Sequence, residues 1–357
     1  MSQAQVATIL PPKEGFSPEA VGAIGLLVHR LARGGAGGVV LGREGAGTPF
    51  PDVPFHPVRP GWGLSRAARY AAGVKQVLRA LRPGLIEVHN WPEIALRLRR
   101  LGPPVSLILN NDPQGMRGAR SPAERTALLR NLAAVATSSE WLRTRLLDGV
   151  AAPARRPVVL PNSIDLPLPS ETERENLILF AGRIVADKGA DVFVRACAGA
   201  LPLLPGWRAE MIGADRFRPD SPDTPYLRAL RPEAAAAGIT LRGHLPHDAV
   251  MDAMGRAAIV VVPSRWQEPF GLTALEAMAS GAALVCAPHG GLPEVAGDAA
   301  LYAAPDQPGA VQAAILVLAR DPVRRAELAW AGRARAEGFS TKRAVAALLA
   351  LREEALG

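Results

Sequence analysis

Short β-rich runs alternate with helical stretches along almost the whole chain, and this alternation limits the fold more than any other feature. In the first half, VATIL, GGVVLG, LIEVHN, VSLILN and AAVATSS read as strands. Between them lie amphipathic segments such as AIGLLVHRLAR and SRAARYAAGVKQVLRALR. The pattern then restarts. NLILFAGR, RAEMIG, ITLRG, AIVVVPS and AALVCAP read as strands, separated by the helical ADVFVRACAGAL, PYLRALRPEAAAAG, HDAVMDAMGRA and GLTALEAMASG. Buried-type strands separated by helices signal parallel βα units. Two successive sets predict an α/β protein of two Rossmann-like, doubly wound domains. The 357 residues suit two domains at roughly 100–200 residues each. A Pro-rich polar stretch at 161–176 breaks the periodicity as a linker would. The expected division is 1–165, 166–339 and a C-terminal helix at 340–357 that could pack back on the first domain. Open parallel sheets bind ligands at the carboxyl ends of their strands. Two such sheets are expected to face each other across a cleft, with one substrate from each wall.

The two cysteines, Cys197 and Cys286, lie in apolar segments and read as buried free thiols. The N-terminus lacks a basic stretch followed by an apolar run, and no segment is apolar over the length needed to span a bilayer. A cytoplasmic protein is expected, at most peripheral on a membrane. The net charge of +8 is unevenly spread. Residues 1–165 hold 21 Lys+Arg and 11 Asp+Glu, a balance of +10. The remainder holds 41−21=20 and 33−11=22, a balance of −2. Aromatics are only 5%, and no nucleic-acid motif is present. No nucleic-acid partner is expected; an anionic membrane or an acidic glycolipid would suit the basic half, and an ordinary Arg-rich solvated surface is the competing reading.

Two motifs in the second half carry chemistry. Gly182-Arg183-Ile184-Val185-Ala186-Asp187-Lys188-Gly189 follows a strand and precedes a helix. Its glycines permit a tight turn, and Arg183 and Lys188 can converge there as a receptor for a diphosphate. The second motif runs from Pro263 to Met278, where a strand ends in a loop and a helix opens near Gly271. Backbone amides at Phe270, Gly271 and Leu272 would face an anion. Glu268 lies before that helix and Glu276 more than a turn inside it. Both carboxylates are suited to accept hydrogen bonds from sugar hydroxyls. The chain contains no D-x-D sequence.

GRIVADKGADVFVRA, the E-x7-E of Glu268 and Glu276, and GGLPEV at 290–295 resemble glycosyltransferase family 4. The resemblance is strong over about residues 176–300. It implies the GT-B fold and sugar transfer with retention of anomeric configuration. No cofactor is expected, and with no D-x-D the Arg183/Lys188 pair and the helix terminus would take the place of a divalent metal. A nucleoside-diphosphate sugar would be the donor and a glycan or lipid-linked molecule the acceptor. Arg183, Lys188 and the 270–272 amides would hold the diphosphate, next to Gly182. Glu276 would bind ribose, Glu268 the transferred sugar, and the segment 242–245, including Gly243, His244 and Leu245, would edge the base. Over the first half, HNWPEIALRL and NDPQGMRGARSPAER resemble segments of proteobacterial enzymes that build surface polysaccharide.

In the first half, Gly15 follows the first strand, where backbone could approach phosphates. His89, Asn110 and Asn111 end strands. The family commonly places a His where Asn110 stands. An Asn can hydrogen-bond a sugar hydroxyl but cannot share a titrating proton, and His89 could partly substitute for it. His29, His244, His247 and His289 read as surface or loop residues. Arg117 and Arg120 are acceptor-side candidates. Three other readings compete: a glycosidase using the two carboxylates, a sugar-nucleotide epimerase, and a catalytically silent sugar-nucleotide-binding protein of the same fold.

Overall fold

The computed structural model describes residues 5–18, 21–45, 47–153, 155–167, 174–215 and 223–357. Part of the expected linker, 168–173, and residues 19–20 of the first loop lie outside the described residues. The chain divides into two compact units, Met1–Asp165 with Phe339–Gly357, and Leu166–Gly338.

The first unit is built on β1 (Val6–Ile9), β2 (Val39–Arg43), β3 (Phe55–Val58), β4 (Leu85–His89), β5 (Val105–Leu109), β6 (Ala134–Thr137) and β7 (Val158–Val159). They form one parallel sheet in the order β3-β2-β1-β4-β5-β6-β7. β1, β4 and β5 are buried along their whole length, as strands covered on both faces must be. β3 is not legible in the sequence. It is an edge strand containing Pro57, with little of it buried, so it shows neither an apolar run nor an alternation.

The helices Arg66–Leu81, Pro92–Leu98, Pro122–Asn131 and Glu140–Leu147 contribute to one core of this unit. Ala23–Leu31 and the last helix, Thr341–Leu356, contribute to another. The last helix buries Ala344, Val345, Leu348, Leu351 and Ala355, a stripe at helical spacing. It also inserts Arg352, whose Nε and Nη2 donate to both carboxylate oxygens of Glu87 on β4, at 2.9 and 3.1 Å. Glu87 further accepts from Thr8 Oγ1 at 3.1 Å. Burial pushes the Glu87 carboxyl up, but the Arg352 guanidinium and His89 outweigh it and hold it at about 2. The charged group at the centre of this unit is therefore matched by the chain's own last helix.

The second unit repeats the topology. β8 (Glu175–Ala181), β9 (Arg208–Ile212), β10 (Ile239–Gly243), β11 (Ala257–Val262), β12 (Ala283–Cys286) and β13 (Ala300–Tyr302) form a parallel sheet ordered β10-β9-β8-β11-β12-β13. Between residues 296 and 340 the sequence pattern assigns nothing. The chain there adds β13 and the helices Ala310–Arg320 and Pro322–Ala336. Cys197 and Cys286 are buried free thiols, and burial pushes the Cys286 thiol up to about 12. In each sheet the strand order reverses once, between β1 and β4 and between β8 and β11. Such switch points leave a crevice at the carboxyl ends of the strands.

Candidate functional site

At the switch point of the second unit, the loops after β8 and β11 are tied together. The amides of Arg265 and Trp266 both donate to the Asp187 carbonyl at 2.9 Å. Arg265 grips the Asp191 carboxylate through two nitrogens, at 2.7 and 2.8 Å. Burial raises the Asp191 carboxyl, but Arg265, Arg195 and Tyr226 together hold it well below the usual range. Gly189 is required where the loops touch. Its φ is +70°, and a Cβ there would stand 1.9 Å from the Pro263 carbonyl oxygen.

This fastening brings Lys188 and Glu268 together. Lys188 Nζ donates to Glu268 Oε1 at 2.6 Å, and Ser264 Oγ donates to the same oxygen at 2.8 Å. Glu268 is buried, whereas Arg183 is exposed on the loop after β8. Spacing alone gives Lys188 and Glu268 separate tasks; in the structure they are one pair. An ammonium has three donors, so Glu268 engages only part of its capacity. Gly290 backs the carboxylate's loop. Its φ is +66°, and a Cβ would come within 2.6 Å of the Glu268 backbone. The Gly291 amide also donates to the Glu268 carbonyl at 2.6 Å. This gives GGLPEV a physical purpose that its sequence does not state.

The helix Leu272–Ala279 opens at Gly271, whose φ of +106° suits glycine. Its first amides have no acceptor within the helix and carry the positive end of its dipole. The Phe270 side chain is buried, which fixes the helix start. Glu276, inside this helix, is buried and lies 2.9 Å from His247 Nε2. His247 is thus a neighbour of the second carboxylate, not a plain loop residue. His289 is likewise engaged, 2.8 Å from the Ser264 carbonyl. His244 is exposed, as expected, and Gly243 accepts a bond from the Gly213 amide. Leu245 lines a shallow depression of about 320 Å³ with Glu210, Arg242 and Asp252, which includes neither Lys188 nor the two motif carboxylates.

The switch point of the first unit is arranged differently. Glu14, beside Gly15, turns its carboxylate onto the start of the helix Ala23–Leu31 and accepts from the Gly25 amide at 2.9 Å. Burial raises the Glu14 carboxyl, opposed by hydrogen bonds from the Gly25, Gly22 and Ile24 backbones. A Cβ on Gly22 would stand 2.3 Å from the Glu14 carboxylate, and one on Gly25 would stand 2.4 Å from the Gly15 carbonyl. The sequence reading gives the Gly15 loop to phosphates, but here the chain's own carboxylate fills the anion position. The catalytic part expected of His89 does not fit either. It is 1% exposed, with Nε2 3.3 Å from Glu87, so it belongs to the buried charge cluster. His29 is also buried, bonded to Asp52 at 2.8 Å and stacked on Phe50.

Asn90 is the organiser that sequence reasoning overlooks. It holds φ at +52°, a conformation Asn tolerates better than most residues, and its Oδ1 accepts from the amides of both Asn110 and Asn111, each at 3.1 Å. Both amide atoms of the Asn110 side chain are buried without a partner among the described residues. Arg117 and Arg120 are exposed on the loop after β5. Buried Arg125 secures that loop, donating to the carbonyls of Ala119 and Arg120 at 3.0 and 2.6 Å. Among the described residues no group of three His, Cys, Asp or Glu side chains could hold a metal ion, and no helix is long and apolar enough to cross a membrane.

Solved structures share this architecture over nearly the full chain. Anabaena HepE, solved in complex with UDP and glucose, matches with a TM-score of 0.78 at 18% identity, covering 98% of this chain and 100% of that one. Sucrose-phosphate synthase from Thermosynechococcus elongatus matches with a TM-score of 0.80 at 19% identity, covering 98% of each. The family model for glycosyl transferases group 1 matches residues 168–335, and the glycosyl transferase 4-like domain matches residues 22–163. This is a GT-B fold chain related to the group 1 and 4-like glycosyltransferases. The group 1 match contains the Lys188–Glu268 pair and Glu276. The 4-like match contains Asn90, Asn110 and the Arg117–Arg120 loop. A curated relative of this GT-B chain, the D-inositol 3-phosphate glycosyltransferase of Acidothermus cellulolyticus, is 30% identical over 240 residues, covering 61% of this chain and 53% of that protein. The chain spans about half the length of the first curated relatives it matches.

Proposed function

We propose that the chain is a retaining glycosyltransferase that moves a hexose from a nucleoside-diphosphate sugar to a glycan or glycolipid acceptor, in the synthesis of lipopolysaccharide, capsule or exopolysaccharide. The observation that carries the reading is the second unit's switch point. There Lys188 and Glu268 meet, Arg183 is exposed on the same loop as Lys188, and a helix N-terminus opens at Gly271. In this reading Arg183, Lys188 and the 270–272 amides bind the donor diphosphate, and Gly182 lets its backbone come close. Glu276 takes the ribose, Glu268 the hydroxyls of the transferred sugar, and Gly243, His244 and Leu245 edge the base. The unpartnered amide of Asn110 supports a hydrogen bond to a sugar hydroxyl, with Asn111 beside it. Arg117 and Arg120 serve an anionic acceptor on the first unit. The place of action is the cytoplasm, with peripheral contact to the inner face of an anionic membrane.

Chemically, the acceptor oxygen bonds to the anomeric carbon as the bond from that carbon to the phosphate oxygen breaks. The acceptor's proton passes to the departing phosphate oxygen. Negative charge builds on the diphosphate, where fixed cations and helix amides lower the barrier without reorganising. The test combines two measurements. Thermal shifts against UDP-, GDP- and ADP-sugars find the donor, since a ligand at 100 times its Kd stabilises by ~2.7 kcal/mol. Product analysis then follows that donor with and without acceptor glycan. Transfer to acceptor is expected. Conversion of the donor to an epimer, or rapid release of free sugar without acceptor, would overturn the reading.

A further inference from the structure

The segment joining β3 to the helix Arg66–Leu81 reverses the usual order of burial. Gly61 and Gly63 face the helix, and Trp62 and Leu64 face solvent. The Gly61 amide donates to the Arg69 carbonyl at 2.8 Å. A Cβ on Gly61 would stand 3.0 Å from the Ala72 methyl, and one on Gly63 would stand 2.9 Å from the Arg69 nitrogen. Glycine at both positions lets the backbone lie directly on the helix, so the residues that alternate with them point away. Trp62 is 89% exposed and Leu64 is 99% exposed. Ser65 then caps the helix, accepting from the Ala68 amide at 3.1 Å. The apolar pair is therefore displayed on a backbone tied to the fold.

The charges flanking this pair in the sequence have one sign. Between Asp52 and Glu87 the sequence contains no acidic residue, yet it carries Arg59, Arg66, Arg69, Lys75, Arg79 and Arg82. Arg59 has a carboxylate within 4 Å, Glu44 at 3.8 Å. Arg66, Arg69, Arg79 and Arg82 are exposed. An aromatic and an aliphatic tip flanked in sequence by Arg59, Arg66 and Arg69 is the composition of a side chain set that sits in the headgroup boundary of an anionic bilayer. A protein partner would need its own apolar pocket and acidic rim, whereas an anionic lipid surface supplies both chemistries everywhere. The place in the fold agrees. The segment leaves the carboxyl end of β3, and in a parallel sheet that is the end from which the loops of Gly15, Asn90, Asn110 and Arg117–Arg120 also emerge.

We propose that Trp62 and Leu64 form a lipid-inserting tip, seated on an anionic membrane by Arg59, Arg66 and Arg69. The inference deepens the membrane contact proposed above and rests on that part of the reading, not on the transfer reaction, so transfer and membrane seating can fail separately. The full chain is sedimented with vesicles of mixed phosphatidylglycerol and phosphatidylcholine, and with phosphatidylcholine alone, at low and high salt. The wild type is expected to pellet with the anionic vesicles and to keep part of its binding at high salt. The doubly substituted Trp62→Ser, Leu64→Ser protein should partition at least about tenfold less and lose the salt-resistant part. Arg66→Gln with Arg69→Gln should lower binding by about tenfold at low salt and little at high salt. Brominated lipid should quench tryptophan fluorescence in the wild type and much less in Trp62→Ser. Far-UV circular dichroism and nucleoside diphosphate binding should be unchanged in both variants, because neither alters the core or the second unit. Three results would overturn the proposal: no binding of the wild type to anionic vesicles, equal binding of wild type and Trp62→Ser, Leu64→Ser, or self-association lost in that variant while vesicle binding is kept.

Discussion

Both units use the same sheet order, yet their switch points hold opposite things. In the second unit, a lysine and a glutamate meet just before the opening of a helix, with an arginine exposed on the lysine's loop. In the first, Glu14 already sits on the helix amides, and the deeper charge, Glu87, is matched by Arg352 of the chain's last helix. The topology places a crevice in each, but side chains decide whether an anion from outside can use it. One crevice is occupied from within by Glu14. The other is the one proposed to receive a ligand.

The largest effect should come from the first unit's core. Arg352→Ala leaves Glu87 buried without its guanidinium, and removing one partner of a buried pair costs about 3–5 kcal/mol. Urea unfolding should show that loss, and a change below about 1 kcal/mol would mean that the pair is not a structural fastening. The sign with pH follows from the lowered Glu87 carboxyl. Its contribution is present above the ordinary carboxylate value and is lost as pH falls from there towards about 2. Acid melts of the wild type should decline over that range, and Glu87→Gln should flatten the decline.

The next effect belongs to the second unit. Arg183→Ala and Lys188→Ala should each lower turnover by about 10²–10³, comparable to losing one preorganised transition-state donor. Circular dichroism should stay unchanged, and near-wild-type turnover in either variant would remove it from the diphosphate site. A finer split concerns the carboxylates. Glu276→Gln should weaken donor and free nucleoside diphosphate alike, because ribose is common to both. Glu268→Gln should lower transfer more than nucleoside diphosphate binding. Because Lys188 and Glu268 touch, their double variant should be non-additive by about 0.5–3 kcal/mol. Additive losses would show that the pair does not act together.

The smallest effects are expected where the account assigns no role. Chelation by EDTA should leave transfer largely intact, since cations and helix amides carry the leaving-group charge; loss of activity restored by Mg²⁺ or Mn²⁺ would contradict this. Glu14→Gln should change nucleoside diphosphate affinity by no more than about twofold, within the error of additivity for an uninvolved site. A larger change would make the first unit's crevice part of the donor site.

What was legible in the sequence follows from locality. Strands such as β4, β5 and β11 are continuous apolar runs because both faces are covered, so periodicity finds them. Lys188, Glu268 and Glu276 are visible because each lies at a fixed offset from a strand end or a helix start. Partnerships between distant residues are not. Glu87 and Arg352 are 265 residues apart, and His247 and Glu276 are 29 apart. Only the packed fold brings them together. Glu14 reads as an ordinary loop charge until Gly22 and Gly25 are seen to admit it. Trp62 and Leu64 escape notice because their unusual feature is exposure, which composition does not reveal.

The proposed function stands or falls with binding of the donor diphosphate at the second unit's switch point. Titration calorimetry with UDP, GDP and ADP tests it most directly, on the wild type, Lys188→Ala and Glu14→Gln. Saturable binding of one of the three is expected, weakened at least about tenfold in Lys188→Ala, as loss of a charge-assisted contact of roughly 1.5–3 kcal/mol requires, and preserved in Glu14→Gln. Equal affinity in Lys188→Ala and the wild type, or a loss confined to Glu14→Gln, would contradict it.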